Sequence, residues 1–322
     1  MNQPTNQPTL YFPPINKLGN VAFRRVCNNS GAEFVFTEMV RVEKIIEGDP
    51  FQLRKLRIPK DMENKTIVQI ICEDINRIEE CVDKIVELTH GLFEINYNMG
   101  CPQSTMSKNE CGGGIVKNPT KVKQVAQALA KACKKHNIQA SIKTRIGYDR
   151  ENINILENVQ NIKDAGITKI YIHGRTLLDG YRRPATYEEI GQVKKKFPEL
   201  EIIGNGDIVD LNSLNNLIKQ TNCDGVLIGR AALNNPYIFK ELTNQTHIKH
   251  SSGIELITTL PAIIELLQYG IQEELNLDYL KQNIVFMTKG VIGSSEFRTK
   301  LNNTSDIKEF LTYCENLNIN KY

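Results

Sequence analysis

The residue of this chain best placed for chemistry is a cysteine, Cys101, which lies between Gly100 and Pro102. These neighbours fix the backbone around the thiol, and the three glycines at 112–114 allow a loop to approach a ligand closely. A lone cysteine is usually a small buried apolar residue, and we interpret the other cysteines in that way. The rigid flanks predict a reactive thiol at Cys101, with Cys111, beside the glycines, as the alternative.

Two short glycine turns further along the chain indicate a phosphate site. They are the segments 205–207 (NGD) and 229–230 (GR), and Lys143 and His173 can add positive charge and hydrogen-bond donors. Glycine turns and loop amides of this kind bind phosphate in many barrels. Each feature alone is typical of an ordinary turn or a solvated lysine, so the prediction depends on their being brought together.

Composition excludes several other classes of function. The eight cysteines are scattered without a Cys-x-x-Cys pair, whereas zinc and iron–sulfur ligands cluster, so no metal site is expected. No apolar run approaches the roughly 18–20 residues that span a bilayer. Residues 1–9 are polar and lack the apolar core of a secretory signal. We therefore expect no membrane association and reduced thiols in the cytoplasm.

The elements that must position these residues alternate between two patterns. Short β-branched apolar runs occur at 10–15, 34–38, 66–71, 92–97, 139–143, 169–173, 201–204 and 225–228. Helical spacing occurs at 20–30, 43–56, 74–90, 119–136, 153–165, 187–197 and 210–220, and again after 235. Eight such units in about 240 residues predict a (β/α)₈ TIM barrel, whose usual size is about 250 residues. A doubly wound open sheet is the alternative.

The segment after about residue 250 has no strand-like run. Its apolar residues recur at helical spacing in the stretches 261–275, 280–291 and 307–314. This pattern predicts a small C-terminal helical domain. We therefore divide the chain into a catalytic barrel, 1–245, and a helical domain, 246–322, with a polar linker over 243–253.

In a barrel, chemistry takes place at the C-terminal ends of the strands. Polar residues recur at the ends of the predicted strands: Glu38, Gln69, Asn96, Asn98, Lys143, Arg145, His173, Arg175, Asn205, Asp207 and Arg230. A purely structural barrel has no reason to carry polar residues at each of these places. Their joint placement predicts one site at this end of the barrel.

In these motifs the sequence resembles the tRNA-dihydrouridine synthases, and the resemblance spans almost the whole chain. Seven motifs carry it in order: Ala22–Arg25 with Thr37–Met39, Val68–Gln69, Asn98–Pro102 with the trailing glycines, Ile142–Gly147, His173–Thr176, Gly204–Ile208, and Asp224–Ala232.

The resemblance implies an FMN-bearing barrel, a helical domain that helps to hold tRNA, and reduction of particular uridines to 5,6-dihydrouridine with NADPH as reductant. By matching position it assigns FMN contacts to Pro14, Ile15, Asn16, Gln69, Lys143, His173, Asn205, Gly206, Asp207, Gly229 and Arg230. It assigns hydride transfer from FMN to C6 of uracil, a proton from Cys101 to C5, and substrate contacts to Asn98 and Arg175. No obligatory protein partner is implied.

Two other functions remain alternatives at this point. One is an FMN-dependent TIM-barrel oxidoreductase that acts on a small pyrimidine or an enoate, and the other is an RNA-binding module without catalysis. A tRNA substrate would also need phosphate contacts. The candidates are Lys134, Lys135, Arg182, Arg183, Lys194, Lys195 and Lys196.

Overall fold

The computed structural model describes residues 7–102, 111–244 and 255–319. Its strands are β1 (Thr9–Phe12), β2 (Phe34–Phe36), β3 (Val40–Arg41), β4 (Thr66–Ile71), β5 (Glu94–Met99), β6 (Gln139–Arg145), β7 (Lys169–His173), β8 (Glu201–Asn205) and β9 (Gly225–Leu227). All pair in parallel. β1 pairs with β2 and β9, and β2 pairs with β4, so the eight strands other than β3 form a closed ring. The predicted TIM barrel is confirmed, and the open sheet is excluded.

Helices surround the barrel. Their bounds are Val21–Asn29, Val42–Ile46, Pro50–Lys55, Ile78–Leu88, Pro119–Lys135, Ile155–Asp164, Glu188–Lys196, Leu211–Thr221, Arg230–Asn234 and Ile238–Thr243. Short 3-10 helices occupy Lys60–Met62, Ile75–Arg77 and Gly112–Lys117. The single helix predicted over 43–56 is two helices, because Gly48 is left-handed (φ 75°) and Pro50 begins the second.

The fourth barrel strand, β5, lies two residues later in the chain than the run predicted over 92–97. Asn98 therefore lies within the strand, as Asn96 does, rather than after it. Ile95 and Tyr97 pack in the main apolar core, whereas Glu94, Asn96 and Asn98 bond to side chains of other strands. Because side chains alternate between the two faces of a strand, β5 presents a polar face to the barrel interior.

Four further helices follow: Leu256–Gln272, Leu277–Met287, Ser294–Asn303 and Ile307–Ile319. The first packs against the helix Val21–Asn29, and apolar residues of the barrel layer and of these helices share one core. Ser294–Asn303 was not predicted, because its buried apolar side chains are Phe297 and Leu301 alone. The predicted boundary at 245/246, with most of the linker, lies outside the described residues.

Polar contacts strengthen this packing. Asn283 Nδ2 donates to the Leu18 carbonyl (2.9 Å), and Arg25 pairs with Glu273 (2.7 Å). Within the part of the chain that the structure describes, no helix is both long and apolar enough to cross a membrane.

Candidate active site

The C-terminal ends of the barrel strands open into a cavity of about 1970 Å³, which extends between the barrel and the C-terminal helices. Of the predicted strand-end residues, Glu38 and Asn96 do not line this cavity. Its lining does contain every residue to which the resemblance assigned a role: Pro14, Ile15, Asn16, Gln69, Asn98, Cys101, Lys143, His173, Arg175, Asn205, Gly206, Asp207, Gly229 and Arg230. These residues come from seven of the eight barrel strands or the loops that follow them. The fold therefore brings the thiol and the phosphate-type turns into one cavity.

Cys101 is held on a tightly bonded turn at the end of β5. The side-chain oxygen of Asn98 accepts hydrogen bonds from the backbone N–H groups of Gly100 (2.9 Å) and Cys101 (2.8 Å). Arg145, buried at the end of β6, donates from Nε to the Gly100 carbonyl (2.7 Å) and from Nη1 to the Thr176 carbonyl (3.0 Å). The backbone that carries the thiol is therefore held in place by side chains of two neighbouring strands, β5 and β6.

The two candidate cysteines have different environments. Cys101 is half-buried and is the one cysteine among the described residues that line the cavity. Cys111 is buried, and burial raises the pKa of its thiol to about 11. The glycines beside Cys111 let their backbone approach other parts of the protein rather than a ligand. The Gly113 N–H donates to the Cys101 carbonyl (3.1 Å). A Cβ at Gly113 would lie 2.1 Å from Leu177 Cδ1.

The floor of the cavity carries an amine without a carboxylate partner among the described residues. Lys143 Nζ has Asn205 Oδ1 as its hydrogen-bond partner, at 3.5 Å. Burial, with the neighbouring Arg145 charge, lowers the pKa of Lys143 to about 7. Burial and the charges of Lys143 and Arg145 also lower the pKa of His173 well below its usual value, so its ring is neutral near pH 7. This floor can accept an anionic group.

The turn after β8 is held by several side-chain contacts. Asp207 has φ 52°, and both of its carboxylate oxygens accept from Arg175 Nη2 at 2.6 Å. Arg230 also pairs with Asp207 (2.6 Å). Gly206 is required here, because a Cβ would lie 2.5 Å from the Ala185 Cβ. The turn can therefore present its backbone to a ligand in a single conformation.

Arg175 and Arg230 differ in how freely they face the cavity. Arg175 is buried, and it also donates from Nε to the Arg183 carbonyl (2.6 Å) and contacts His173 Nε2 from Nη1 (3.1 Å). The Arg230 side chain is 56% exposed, and its guanidinium lies 4.8 Å from the centre of the Tyr181 ring. Most donors of Arg175 hold protein groups, whereas Arg230 is open to a ligand.

The loop after β1, which contains Pro14, Ile15 and Asn16, is tied to the C-terminal helices through one carboxylate. Buried Glu38 accepts from the Lys17 backbone N–H (2.6 Å) and from the Tyr279 hydroxyl (2.7 Å). Lys55 Nζ also donates to Asn16 Oδ1 (3.3 Å). The helix Leu277–Met287 therefore supports a loop of the cavity directly.

Tyr279→Phe is expected to lower the free energy of unfolding by about 1–3 kcal/mol, because one oxygen of the buried Glu38 carboxylate loses its donor. Urea denaturation measures this change. The control is Tyr313→Phe, since the Tyr313 hydroxyl makes no hydrogen bond to the described residues. Equal effects of the two substitutions would contradict the role of the Glu38–Tyr279 bond.

The structure divides the predicted phosphate-binding cations into two groups. Lys134, Lys135 and Lys194–Lys196 lie at helix ends that lead into the starts of β6 and β8, which is the barrel end opposite the cavity. Lys135 pairs with Asp83 and Lys194 with Asp224. Arg182 and Arg183 follow β7 and lie on the cavity side.

The sequence patterns missed several residues of the cavity. Lys240 and Lys289 are exposed cations in its lining, and they lie on segments whose sequence pattern indicates only apolar helical spacing. Tyr181 is 60% exposed and lines the cavity from a loop that has no recognisable pattern. The position of Arg145 near the Cys101 turn could have been predicted. Arg145 lies two residues after Lys143 on β6, and side chains two residues apart lie on the same face of a strand.

Comparison with known proteins is consistent with this geometry. The chain matches the family model of dihydrouridine synthase (Dus) over residues 12–321. It is 28% identical over 304 residues to a probable tRNA-dihydrouridine synthase of Aquifex aeolicus, across 94% of this chain and 93% of that protein. It is 28% identical over 313 residues to tRNA-dihydrouridine synthase B of Pasteurella multocida, across 95% of this chain and 91% of that protein.

A solved structure supports the fold alone. Histamine dehydrogenase from Rhizobium sp. 4-9 superposes with a TM-score of 0.55 at 12% identity, over 81% of this chain and 48% of that chain. The family match, in contrast, runs through both the barrel and the C-terminal helices. With the site and the fold it establishes that this chain belongs to the dihydrouridine synthase family.

Proposed function

We propose that this enzyme reduces uridines of tRNA to 5,6-dihydrouridine, with FMN as bound cofactor and NADPH as reductant. The observation that carries the proposal is that a half-buried thiol, Cys101, and an amine without a carboxylate partner among the described residues, Lys143, open into one cavity. Family membership supports the same reaction. We further propose that the enzyme acts in the cytoplasm, where the reducing environment keeps cysteines as thiols.

The groups that line the cavity suit an anionic cofactor. The Lys143 amine faces the cavity without a carboxylate partner among the described residues, and the turns at Gly206 and Gly229 can present backbone to a ligand. The volume, about 1970 Å³, exceeds the roughly 300–1,000 Å³ of a pocket for one small ligand, so a cofactor and a base can be accommodated together. When bound, reduced FMN supplies hydride chemistry for C6 of uracil.

The residues proposed to hold FMN share positions at the C-terminal ends of the strands and in the loops that follow. They are Pro14, Ile15, Asn16, Gln69, Lys143, His173, Asn205, Gly206, Asp207, Gly229 and Arg230.

Cys101 is the proposed donor of the proton that reaches C5. Its backbone N–H is held by Asn98, and the carbonyl before it is held by Arg145. The thiol is thus positioned in advance, which lowers the entropic cost of proton transfer. The Asn98 amide donates one hydrogen to Gln69, and we assign its second hydrogen to a carbonyl of the target base.

We propose that Arg175 lies on the substrate side of the cavity. Because its donors hold Asp207, His173 and a backbone carbonyl, its contribution is to keep Asp207 in position. Arg230, which shares Asp207, remains exposed toward the ligand.

A macromolecular substrate is favoured by the shape of the cavity. It continues from the barrel mouth onto the C-terminal helices, where Thr258, Phe286 and Lys289 contribute to its lining. A small pyrimidine or enoate would not need this extension. We propose that the helical domain, 246–322, helps to hold tRNA, and that Lys240 and Lys289 contact its phosphates.

The test is a direct assay of cofactor and product. The purified protein should show a flavin absorption spectrum, release FMN on denaturation, and form dihydrouridine in unmodified tRNA in the presence of NADPH. Free uridine serves as the control substrate. A protein that neither contains nor binds flavin would contradict the proposal, and reduction of free uridine at the rate seen with tRNA would favour a small-molecule reductase.

A further inference from the structure

A chain of side-chain hydrogen bonds runs through the barrel interior and ends at the turn that carries Cys101. Asn98 Nδ2 donates to Gln69 Oε1 (2.7 Å), and Gln69 Nε2 donates to Asn96 Oδ1 (2.8 Å). Asn96 Nδ2 donates to Ser141 Oγ (2.8 Å), and Ser141 Oγ donates to Glu94 Oε1 (2.6 Å). The first and last of these residues are buried positions on the same strand, β5, roughly 13 Å apart at the usual rise per residue.

The direction of this chain is set by Glu94. Burial raises the pKa of Glu94, whereas the paired Lys169 ammonium (3.1 Å) and the donating hydroxyls of Ser141 and Tyr171 (2.8 Å) stabilise its charged form. As a carboxylate it only accepts hydrogen bonds. The hydroxyl of Ser141 has one hydrogen, which it gives to Glu94. Its oxygen must therefore accept from the Asn96 amide.

The same reasoning determines the orientation of the next three side-chain amides. Asn96 offers its NH₂ group to Ser141, so its oxygen faces Gln69. Gln69 offers its NH₂ group to that oxygen, so its own oxygen faces Asn98. Asn98 therefore directs its oxygen away from Gln69 and toward the N–H groups of Gly100 and Cys101.

An amide flip at Asn98 would place an NH₂ group against these two backbone N–H groups. Both hydrogen bonds of the turn would be lost, and donors would oppose donors. A buried carboxylate is costly to keep in a barrel interior, where apolar residues of similar volume are often as stable. The cost is understandable if the carboxylate specifies the orientation of the groups above it.

We propose that Glu94 is a positioning residue that acts through Ser141, Asn96 and Gln69 to orient the Asn98 amide and hold the Cys101 turn. The link from this turn to catalysis rests on the proposed function, whereas the structural part does not. The same chain orients Gln69, whose amide lines the cavity.

The test compares Glu94→Gln with Ser141→Ala and Glu201→Gln. Glutamine at 94 can donate as well as accept, so the chain loses its direction, and Ser141→Ala interrupts the chain without changing charge. Glu201→Gln is the matched control, because Glu201 also pairs with Lys169 (3.2 Å) but lies outside the chain. If Glu94→Gln does not fold, the same measurements on Ser141→Ala are sufficient to test the proposal.

The main readout is hydrogen exchange of the backbone amides of Gly100 and Cys101, which needs neither flavin nor tRNA. Exchange is expected to accelerate roughly five- to tenfold in Glu94→Gln and Ser141→Ala, the factor of about one ordinary hydrogen bond. Glu201→Gln should exchange as the unsubstituted protein does. In the same two variants kcat for uridine reduction should fall by a larger factor than KM for tRNA rises, because the phosphate contacts that supply most of the affinity for tRNA lie outside the chain.

Unchanged exchange at Gly100 and Cys101 in both chain variants would overturn the proposal. Accelerated exchange with an unchanged kcat would also overturn it, because the turn would then not matter for catalysis. Absence of dihydrouridine formation by the unsubstituted protein would contradict the proposed function instead, and the exchange measurement would still decide the structural claim.

Discussion

Cys101→Ala is expected to slow the reduction of uridine in tRNA by about 10²–10⁴-fold, the usual contribution of a positioned general acid. FMN binding and NADPH oxidation should remain nearly intact, since neither step needs a proton from this thiol. Stopped-flow reoxidation of the reduced flavin by tRNA measures the affected step. Cys101→Ser should recover little of the rate, because a hydroxyl is a far weaker acid than a thiol.

Cys111→Ala is the matched control. Cys111 is buried, lies ten residues along the chain and packs in the same small apolar cluster as Cys101. Its substitution should affect stability rather than the rate of flavin reoxidation. A normal rate for Cys101→Ala with a collapsed rate for Cys111→Ala would show that the second thiol is the acid.

The affinity of the apoprotein for FMN is expected to fall as the pH rises above about 7, by up to roughly tenfold per pH unit. Burial lowers the pKa of Lys143 to about 7 in the free protein, so above this pH its amine is neutral and must take up a proton to meet an anion. The phosphate of FMN is already a dianion in this range, so it does not contribute to the trend. Fluorescence titrations between pH 6.5 and 9 measure the effect.

Lys143→Met should remove this pH dependence and weaken FMN binding at pH 6.5 by about 10–100-fold, the loss of a charged hydrogen bond. Lys134→Met, at the opposite end of the barrel, should leave binding and its pH dependence unchanged. Titration with riboflavin, which lacks the phosphate, shows which part of FMN the Lys143 amine contacts. If the amine contacts the phosphate, Lys143→Met will not weaken riboflavin binding; if it contacts the ring, the weakening will persist. An affinity for FMN that does not change above pH 7 would contradict the assignment of Lys143.

The barrel could be predicted from local pattern because each strand carries its own signal. The runs predicted over 66–71 and 169–173 coincide with β4 and β7. Apolar residues buried on both faces of a parallel strand produce such runs without reference to the rest of the chain. The helix Ser294–Asn303 gave no comparable signal, since two buried apolar residues do not define a stripe.

The polar face of β5 has a signal in the sequence that our prediction did not use. Glu94, Asn96 and Asn98 alternate with apolar residues in β5, and this period of two indicates one polar face. Placing the strand at 92–97 made Asn98 a loop residue and hid this alternation. Only the partners from β4 and β6, Gln69 and Ser141, show that the polar face is a connected chain.

The sequence alone was enough to predict the barrel and the polar strand ends, because both are local patterns of residue type and spacing. The assignment of individual site residues such as Ile15 and Asn16 came from the family resemblance, and all the residues so assigned line one cavity. The tertiary structure decided which thiol faces the cavity and which cations share its end of the barrel. It also decided that Glu38 links the β1 loop to Tyr279, 241 residues away in sequence. Burial and contacts between distant segments depend on how strands and helices pack, and no local pattern records them.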